Sequence, residues 1–314
     1  MRIIDDRAVE RRLALPLLIE RLRAAFRADA SVPLRHHHAI EVPDAAAGTL
    51  LLMPAWIAGG CLAIKLVTVF PDNQRRSLST VLASVLLLSA TTGEALALVA
   101  GRVLTVRRTA AASALAASYL ARTDAAHLVM VGTGALAPAL IAAHAAVRPI
   151  RRVSVWGRDP AKARGLADRL AGQAFAIAPV DDLEAAVRTA DIVSCATLTR
   201  DPLVRGEWLA PGAHLDLVGG FTPAMREADD TAIRRAAVFV DTRAGATKEA
   251  GDIVQPLASG VLAREAIRAD LHDLARGRAP GRAAPDEITL FKSVGTALED
   301  LAAAQLAYEG EVPG

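Results

Sequence analysis

Residues 125–147 read AAHLVMVGTGALAPALIAAHAAV, and their pattern is the strongest indication of the fold. It contains no Asp, Glu, Lys or Arg and is about as long as a membrane-spanning helix must be. A G-T-G sequence interrupts it after the first third, and two His and one Pro make it less apolar than such a helix. We therefore predict a buried strand at His127–Val131, a tight turn, and a buried helix at Ala137–Ala146.

The turn GTGALA at positions 132–137 has the pattern G-x-G-x-x-A, and it stands between a strand and a helix as a dinucleotide-binding turn requires. The first glycine permits the tight turn, the second lets the backbone approach a pyrophosphate, and Ala137 allows close packing. The free N–H groups at the helix start would bind the phosphates. The alternative is a merely structural turn. The residues predicted to bind the cofactor here are Gly132, Thr133, Gly134, Ala135 and Leu136.

The residues after the next predicted strand, Val153–Trp156, indicate which cofactor binds. A site that prefers NAD places Asp or Glu there for the ribose hydroxyls, whereas this chain has Gly157, Arg158 and Asp159. Arg158 suits a 2′-phosphate because its guanidinium is planar and always charged. We predict NADP(H) as the preferred cofactor, with NAD(H) as the alternative. The competing interpretation makes Arg158 a solvated loop residue and Asp159 the cap of the helix that begins at Pro160.

Short apolar strands continue to alternate with helical segments, which is typical of a parallel sheet covered by crossover helices. We predict about six strands in all. The later ones are Ala174–Ile177, Ile192–Ala196, His214–Val218 and Ala237–Val240. The stretch Arg276–Pro285 is rich in Pro, Gly and Arg and predicts a surface loop.

The N-terminal third of the chain has a different pattern. It predicts a charged helix near Asp6–Ala28, followed by strands at Thr49–Met53 and Cys61–Phe70. Thr91–Glu94 stands between two apolar runs and predicts a hairpin turn.

Composition excludes several classes of protein. A chain of 314 residues suffices for about two domains, and 53% hydrophobic with 22% charged residues excludes a disordered chain. The net charge of +2 is too balanced for a nucleic-acid partner. The start MRIIDDR lacks the pattern of a signal peptide. Cys61 and Cys195 have no metal-ligand spacing, so we predict a cytoplasmic protein without disulfides, metal or membrane association.

Several segments resemble the ornithine cyclodeaminase/mu-crystallin family, in the family's order and over nearly the whole chain. They are VPLR (32–35), LMPAW (52–56), AIKLVTVFPDN (63–73), LTVRRTAAASALA (104–116), the G-T-G turn, VGGFTPAMRE (218–227), KEAGD (248–252) and LFKSVG (290–295).

The resemblance implies an α/β fold in which a Rossmann-type doubly wound parallel sheet domain is inserted into a discontinuous α+β domain. The discontinuous domain would bind the substrate and form a homodimer. We place the dinucleotide-binding domain at residues 119–289 and the substrate-binding and dimerisation domain at residues 1–118 and 290–314.

The resemblance also implies that Arg35, Lys65 and Arg108 face the substrate. An arginine fork holds a carboxylate with two charge-assisted hydrogen bonds. Lys65 lies in an otherwise apolar strand, where an unpaired charge is unfavourable, so we predict a functional partner for it. The alternative is an edge-strand lysine whose ammonium reaches water. Arg108 is chosen over Arg107 because it directly precedes Thr-Ala-Ala.

By the same matching, four further residues would lie beside the nicotinamide or its ribose: Thr80, Thr197, Val218 and Ser293. The run His36–His38 has no strong metal-ligand spacing, so we interpret it as a loop or strand next to Arg35.

One position departs from the family pattern. Cyclodeaminases and similar alanine dehydrogenases carry an Asp where this chain has Phe221, and phenylalanine cannot transfer a proton. Members without the Asp resemble imine or ketimine reductases. We therefore predict that NAD(P)H reduces a cyclic 2-carboxy imine, Δ1-pyrroline-2-carboxylate or its piperideine homologue, to the L-imino acid. The alternatives are an ornithine cyclodeaminase, an amino-acid dehydrogenase and a non-catalytic NADPH-dependent binding protein of the mu-crystallin kind.

Overall fold

The computed structural model describes residues 1–310, and the chain divides into two compact units. The first unit comprises Met1–Arg108 and the chain from Thr296 onward, and the second comprises Thr109–Gly295. Both boundaries differ from those predicted. The boundary at 118/119 falls inside a helix and the boundary at 289/290 falls inside a strand. Residues 311–314, which we assigned to the discontinuous domain, lie outside the described residues.

The first unit contains a seven-stranded sheet with the order β1-β7-β6-β5-β4-β2, and β3 also pairs with β4. Its pairs are antiparallel except β1 with β7. The strands are β1 (Arg2–Ile4), β2 (Ala30–Ser31), β3 (His36–Ile40), β4 (Gly48–Ile57), β5 (Cys61–Val69), β6 (Val81–Ser89) and β7 (Ala95–Ala100). The helices are α1 (Asp6–Arg12), α2 (Leu15–Arg27), the first part of α3 (Gly101–Leu120) and the C-terminal helix α11 (Ala297–Glu309).

The single charged helix predicted near Asp6–Ala28 is in fact two helices. The Asp5 side chain caps α1 by accepting from Ala8 N at 2.8 Å, and Pro16 lies in the first turn of α2. Proline favours the first turn because it lacks an N–H, so it marks a new helix start. The hairpin turn predicted at Thr91–Glu94 is confirmed, since it joins β6 to β7.

The core of the first unit lies between the sheet and α11. On β5 the side chains of Ala63, Lys65 and Val67 are buried, whereas their neighbours Ile64 and Leu66 are less so. This alternation follows from the two-residue period of a strand. Lys65 reaches α11, so the sheet face that carries Lys65 is the face that α11 covers.

The second unit contains an eight-stranded sheet with the order β10-β9-β8-β11-β12-β15-β13-β14, in which every pair is parallel. The strands are β8 (His127–Val131), β9 (Arg152–Trp156), β10 (Ala176–Pro179), β11 (Ile192–Cys195), β12 (His214–Leu217), β13 (Ala237–Val240), β14 (Ile267–Asp270) and β15 (Thr289–Lys292). The helices are the rest of α3, α4 (Ala137–Val147), α5 (Pro160–Arg169), α6 (Leu183–Arg188), α7 (Asp230–Arg235), α8 (Arg243–Glu249), α9 (Gly251–Ala258) and α10 (Leu271–Ala275).

This parallel sheet confirms the predicted Rossmann-type fold, but the estimate of about six strands was too low. Strand β14 was missed because it is short and carries Arg268 at an exposed position. Strand β15 was assigned to the other domain, yet it pairs with β12 and β13 in the middle of the sheet. The chain therefore returns to the first unit only from Thr296.

Over residues 1–310, none of the helices has the length and hydropathy needed to cross a membrane. The uncharged stretch at 125–147 forms β8, the turn and α4. The described His, Cys, Asp and Glu side chains form no group of three or more that could hold a metal ion. His36–His38 is an exposed strand, β3, which pairs with β4.

Candidate active site

The glycine turn after β8 has the shape that a pyrophosphate needs. Gly132 has φ +115°, and a Cβ atom there would lie 2.6 Å from the Ala196 carbonyl oxygen, so only glycine fits. A Cβ atom at Gly134 would meet no atom within 4 Å, which leaves the backbone of the turn accessible. Helix α4 follows the turn, and the N-terminus of a helix is a favourable place for an anion. These features fit a dinucleotide phosphate.

The position of this turn in the sheet supports the same fit. Strand β8 lies between β9 and β11, and the chain order reverses there, which is where ligands bind in doubly wound sheets. The turns after β8 and β11 approach each other, as the short distance from Gly132 to Ala196 shows. Thr197, predicted to lie near the nicotinamide, directly follows Ala196.

At the end of β9 the side chains of Arg158 and Asp159 have different surroundings. The Asp159 carboxylate accepts from Ala161 N at 3.0 Å and caps α5, so it is committed to the helix. Arg158 is exposed and makes no ion pair with the described part of the chain. A Cβ atom at Gly157 would lie 2.7 Å from the Thr133 methyl group, so the glycine also lets the two loops pack closely.

In the first unit, two of the predicted substrate residues meet in a buried ionic group, which we call the Lys65 cluster and define as Lys65, Arg108, Glu299 and Asp300. Lys65 Nζ donates to Asp300 Oδ1 at 3.1 Å, and Arg108 Nε donates to the same oxygen at 3.0 Å. Arg108 Nη1 donates to Glu299 Oε2 at 2.7 Å. All four residues are 5% exposed or less.

Three segments build the Lys65 cluster. Lys65 points from β5 toward α11, and Arg108 lies on α3, where its neighbour Arg107 turns away to the Leu13 carbonyl and Glu10. The Thr296 side chain caps α11, and the acids occupy the first turn of that helix. Carboxylates are favourable there because of the helix dipole.

The charges in the Lys65 cluster shift the pKa values of its cations in opposite directions. Burial lowers the pKa of Lys65 to about 8; Asp300 opposes this shift, whereas Arg108 and Arg35 add to it. Burial would also lower the pKa of Arg108, but Asp300 and Glu299 outweigh burial and hold that pKa above its ordinary value. Arg108 is therefore a permanent cation, whereas Lys65 can release a proton near neutral pH.

Hydrogen-bonding capacity remains in the Lys65 cluster. Among the described residues Lys65 hydrogen-bonds only Asp300, so two of its three N–H donors are unused. Arg108 Nη2 likewise makes no hydrogen bond within residues 1–310. Arg35 precedes β3, is half-buried, and lies near enough to affect the pKa of Lys65. Thr80 is half-buried and directly precedes β6.

The second unit contains another buried ionic group, the Lys292 cluster, defined as Glu227, Asp252 and Lys292. Lys292 Nζ lies 3.0 Å from Asp252 Oδ2 and 4.0 Å from Glu227 Oε2, and it donates to the Gly219 carbonyl. All three side chains are fully buried. The cluster joins the family segments 218–227, 248–252 and 290–295, which follow one another at wide intervals in the chain.

The Lys292 cluster fixes the backbone of the loops around it. Glu227 Oε1 accepts from Thr197 N at 2.7 Å and from Thr197 Oγ1 at 2.8 Å. Asp252 Oδ1 accepts from the backbone N of Glu227 at 2.7 Å and of Ala228 at 3.1 Å. The loops after β11 and β12 are thereby tied together, and Thr197 is held in place.

A surplus of negative charge affects Glu227. Burial raises the pKa of Glu227 to about 7, and Asp252 adds to the rise although Lys292 opposes it. Gly220, with φ +57°, is required beside this group, because a Cβ atom there would lie 2.5 Å from Asp252 Oδ2 and 3.2 Å from Lys292 Nζ.

The other predicted cofactor residues follow the carboxyl ends of the same parallel strands. Val218 is buried after β12, and Ser293 is buried after β15, where its hydroxyl donates to Asp241 at 3.4 Å. Phe221 is 48% exposed, in the loop after β12. The roles of Thr80, Thr197, Val218 and Ser293 stay predictions.

Sequence reasoning missed five charged residues of the two clusters. Glu227, Asp252 and Lys292 stood inside the family segments without an assigned role, and a buried-strand lysine such as Lys292 is the same signal that selected Lys65. Glu299 and Asp300 stood in the first turn of a helix, where acids are usually solvated caps, so the pattern alone gave no sign of burial.

The fold and the sequence are similar to those of known proteins. The family model for the ornithine cyclodeaminase/mu-crystallin family matches residues 2–312. A Δ1-pyrroline-2-carboxylate reductase of Paracoccus denitrificans is 45% identical over 81% of each chain. The solved structure of Thermococcus litoralis Δ1-pyrroline-2-carboxylate reductase in complex with NADH and L-proline is 36% identical, covers 98% of this chain and 97% of that one, and has a TM-score of 0.91.

An archaeal alanine dehydrogenase, described as a dimer with bound NAD, is 28% identical, with coverage of 98% of this chain and 95% of that one and a TM-score of 0.90. The Rossmann-type sheet, its phosphate turn and these relatives together define an NAD(P)-dependent oxidoreductase. The chain belongs to the ornithine cyclodeaminase/mu-crystallin family.

Proposed function

We propose that this protein reduces the C=N bond of a cyclic 2-carboxy imine, Δ1-pyrroline-2-carboxylate or its six-membered piperideine homologue, to the L-imino acid. The observation that carries the proposal is the Lys65 cluster, in which a titratable lysine and a fixed arginine are buried with unused donors. The similarity to two Δ1-pyrroline-2-carboxylate reductases supports it. Phe221 supports it as well, because it stands where cyclodeaminases of the family carry an Asp.

Each residue has a distinct part in the proposed reaction. Arg108 and Arg35 hold the substrate carboxylate, for which Arg108 offers Nη2. The reduced nicotinamide supplies the hydride when bound. Lys65 gives a proton to the ring nitrogen, which balances the reaction: the imine carbon gains the hydride, the nitrogen gains the proton, and the neutral lysine then recovers a proton from water.

An assay of cofactor oxidation with pyrroline-2-carboxylate and piperideine-2-carboxylate tests this function. We expect turnover with at least one imine and the accumulation of L-proline or its six-membered homologue. Absence of imine turnover, together with ammonia release from L-ornithine and NAD, would instead identify a cyclodeaminase. Reduction of NAD with L-alanine would identify an amino-acid dehydrogenase, and NADPH binding without any turnover would identify a binding protein.

We further propose that NADP(H) is preferred over NAD(H). The Asp159 carboxylate is committed to capping α5, and Arg158 is exposed at the end of β9, so no acid there is available to a ribose and a cation is available to a 2′-phosphate. Arg158→Gln should raise KM for NADPH about tenfold and leave KM for NADH unchanged, because one charge-assisted hydrogen bond contributes about 1.5–3 kcal/mol. Arg164→Gln, an exposed change on α5, is the control. An equal effect on both cofactors would contradict the preference.

We also propose that the protein is a homodimer, formed through the sheet face opposite α11. That face carries apolar side chains in register, with Leu52 paired to Leu66 and Pro54 paired to Ile64. An antiparallel sheet exposed to water usually has a polar outer face. The alanine dehydrogenase with the same fold is described as a dimer, which supports the proposal.

A charge in the middle of that face tests the dimer. Leu66, which is 37% exposed, becomes a buried contact if a second copy covers it. Leu66→Glu should therefore yield monomers in analytical ultracentrifugation. Leu17→Glu, at a 61% exposed position on α2, should leave the dimer intact. A monomeric wild type at micromolar concentration would refute the proposal.

A further inference from the structure

The first turn of α11 contains two carboxylates whose burial calls for an explanation. Glu299 and Asp300 are both 0% exposed, in a helix whose other buried residues are Ala and Leu. Burying charges is unfavourable unless each is paired and hydrogen-bonded, and apolar residues in place of a whole buried ionic group often give equal or greater stability. Stability alone therefore gives no reason for an ionic group at this place.

The two acids differ in what they bind. Asp300 Oδ1 accepts from both Lys65 Nζ and Arg108 Nε, so one oxygen fixes the spacing of the two cations. Glu299 accepts from Arg108, and Lys65 makes no hydrogen bond to it within the described residues. Asp300 is thus the acid that connects the lysine with the arginine, and Glu299 orients the arginine.

We propose that Asp300 is the positioning residue of the imine reduction: it holds the Lys65 ammonium beside Arg108 and keeps it protonated until it gives its proton to the ring nitrogen. This inference rests on the proposed function. In the step, the N–H bond of Lys65 breaks and an N–H bond forms on the ring nitrogen, while the hydride adds to the neighbouring carbon. Asp300 itself exchanges no proton with the substrate.

The charges that face Lys65 make Asp300 necessary for this role. Burial, Arg108 on α3 and Arg35 before β3 all favour the neutral amine, and Asp300 on α11 opposes them. The resulting pKa of about 8 leaves Lys65 protonated at neutral pH and ready to release its proton. Without the carboxylate, burial and the two arginines would favour the neutral amine, and Lys65 would lose its hydrogen bond to α11.

The pH dependence of kcat/KM for imine reduction tests the inference. In the wild type kcat/KM should fall as the pH rises through about 8, because the neutral amine cannot supply a proton. Asp300→Asn should move this alkaline limb down by about 1–3 pH units, the effect of a lost opposite charge within a few ångströms. Glu299→Gln is the matched control: it also removes a carboxylate from Arg108 but no hydrogen bond from Lys65, so it should move the limb much less.

A measurement independent of activity separates this inference from the proposed function. The chain has only four lysines, so 13C-labelled lysine gives few NMR signals, and the Lys65 signal is identified by its loss in Lys65→Met. In the wild type Lys65 should titrate near 8, well below the ordinary value of 10.5. This titration remains measurable even if no imine is reduced, and it requires only the folded wild type if Asp300→Asn does not fold.

Two results would overturn the inference: an ordinary pKa for Lys65, or an alkaline limb that moves equally in Asp300→Asn and Glu299→Gln. Asp300→Glu should restore the limb near its wild-type position, which a merely structural loss would not do. If the wild type oxidises neither cofactor with any imine although Lys65 titrates near 8, the proposed function fails and only the electrostatic part of the inference stands.

Discussion

The two buried ionic clusters of this molecule use similar residues in opposite ways. In the Lys65 cluster two cations meet two anions, and donors of both cations remain unused. In the Lys292 cluster one lysine meets two carboxylates, and its ammonium and one oxygen of each acid bind backbone groups around them. Spare donors on the cations suit a group that binds a ligand, whereas several hydrogen bonds to backbone suit a group that holds loops.

The comparison also explains where glycines are needed. Around the Lys292 cluster, Gly219, Gly220 and Gly251 leave no room for a Cβ atom, because backbone or ionic groups occupy that space. These family segments therefore provide space for packing as well as groups for chemistry within this chain: each glycine makes room for an ionic or backbone group beside it.

Lys65→Met should lower kcat for imine reduction by about 10²- to 10⁴-fold, because it removes the group that we propose as the proton donor. NADPH binding, measured by fluorescence titration, should stay near the wild-type value, since the phosphate turn belongs to the other unit. Wild-type turnover in the variant would show that the Lys65 cluster is structural.

Lys292→Met should destabilise the protein by about 3–5 kcal/mol in urea unfolding, because it leaves two buried carboxylates without their cation. Lys248→Met is the matched control, since Lys248 is exposed, and it should change the unfolding free energy by less than about 0.5 kcal/mol. Equal stability of the two variants would contradict the structural role that we assign to the Lys292 cluster.

Gly220→Ala should cost about 2–4 kcal/mol of stability, the sum of a positive φ and a Cβ atom forced against the ion pair. Gly260 also has a positive φ, +74°, but lies in open space, so Gly260→Ala measures the backbone part alone, about 1–2 kcal/mol. The difference between the two variants is the steric contribution of the Lys292 cluster. If the two variants lose the same stability, the loop around Gly220 can move to accommodate the Cβ atom, and the Lys292 cluster does not fix the conformation of that loop.

Glu227→Gln should have the smallest effect, and that effect should depend on pH. The pKa of Glu227 rises from 4.5 in the unfolded chain to about 7 on folding, so between these values the folded protein binds more protons. The stability that Glu227 contributes is therefore complete below about pH 4.5 and is lost as the pH rises through 7. Glutamine does not titrate.

Urea unfolding at about pH 5 and pH 8 checks this prediction, and the variant should gain stability relative to the wild type at the higher pH. A constant difference would place the pKa of Glu227 near its ordinary value. Glu207→Gln, at an exposed position in the same unit, should show no such change.

The nucleotide-binding half was predictable because its signals are local. The strand at His127–Val131, the glycine turn and the helix from Ala137 are contiguous, and the structure has them as predicted. Lys65 was selected because a charged residue in an apolar strand can be recognised from the sequence alone. Arg108 was selected by its position in a family motif, which can also be recognised from the sequence. The structure shows both buried and joined through one carboxylate oxygen.

Other features depended on contacts between distant segments. From the sequence we assigned most of β15 to the C-terminal segment of the discontinuous domain. In the structure β15 lies between β12 and β13 in the parallel sheet. Glu299 and Asp300 read like ordinary acids of a helix start, and only the packing of α11 on the sheet buries them against Lys65 and Arg108.

Local patterns in the sequence were enough to predict the βαβ unit, the phosphate turn and the residue types of the candidate site, because backbone propensity and residue periodicity act over a few residues. Which charges neutralise each other follows only from the folded arrangement. That arrangement shifts the pKa of Lys65 and of Glu227, because electrostatic energy depends on distance and burial in space, and neither can be read from separation along the chain.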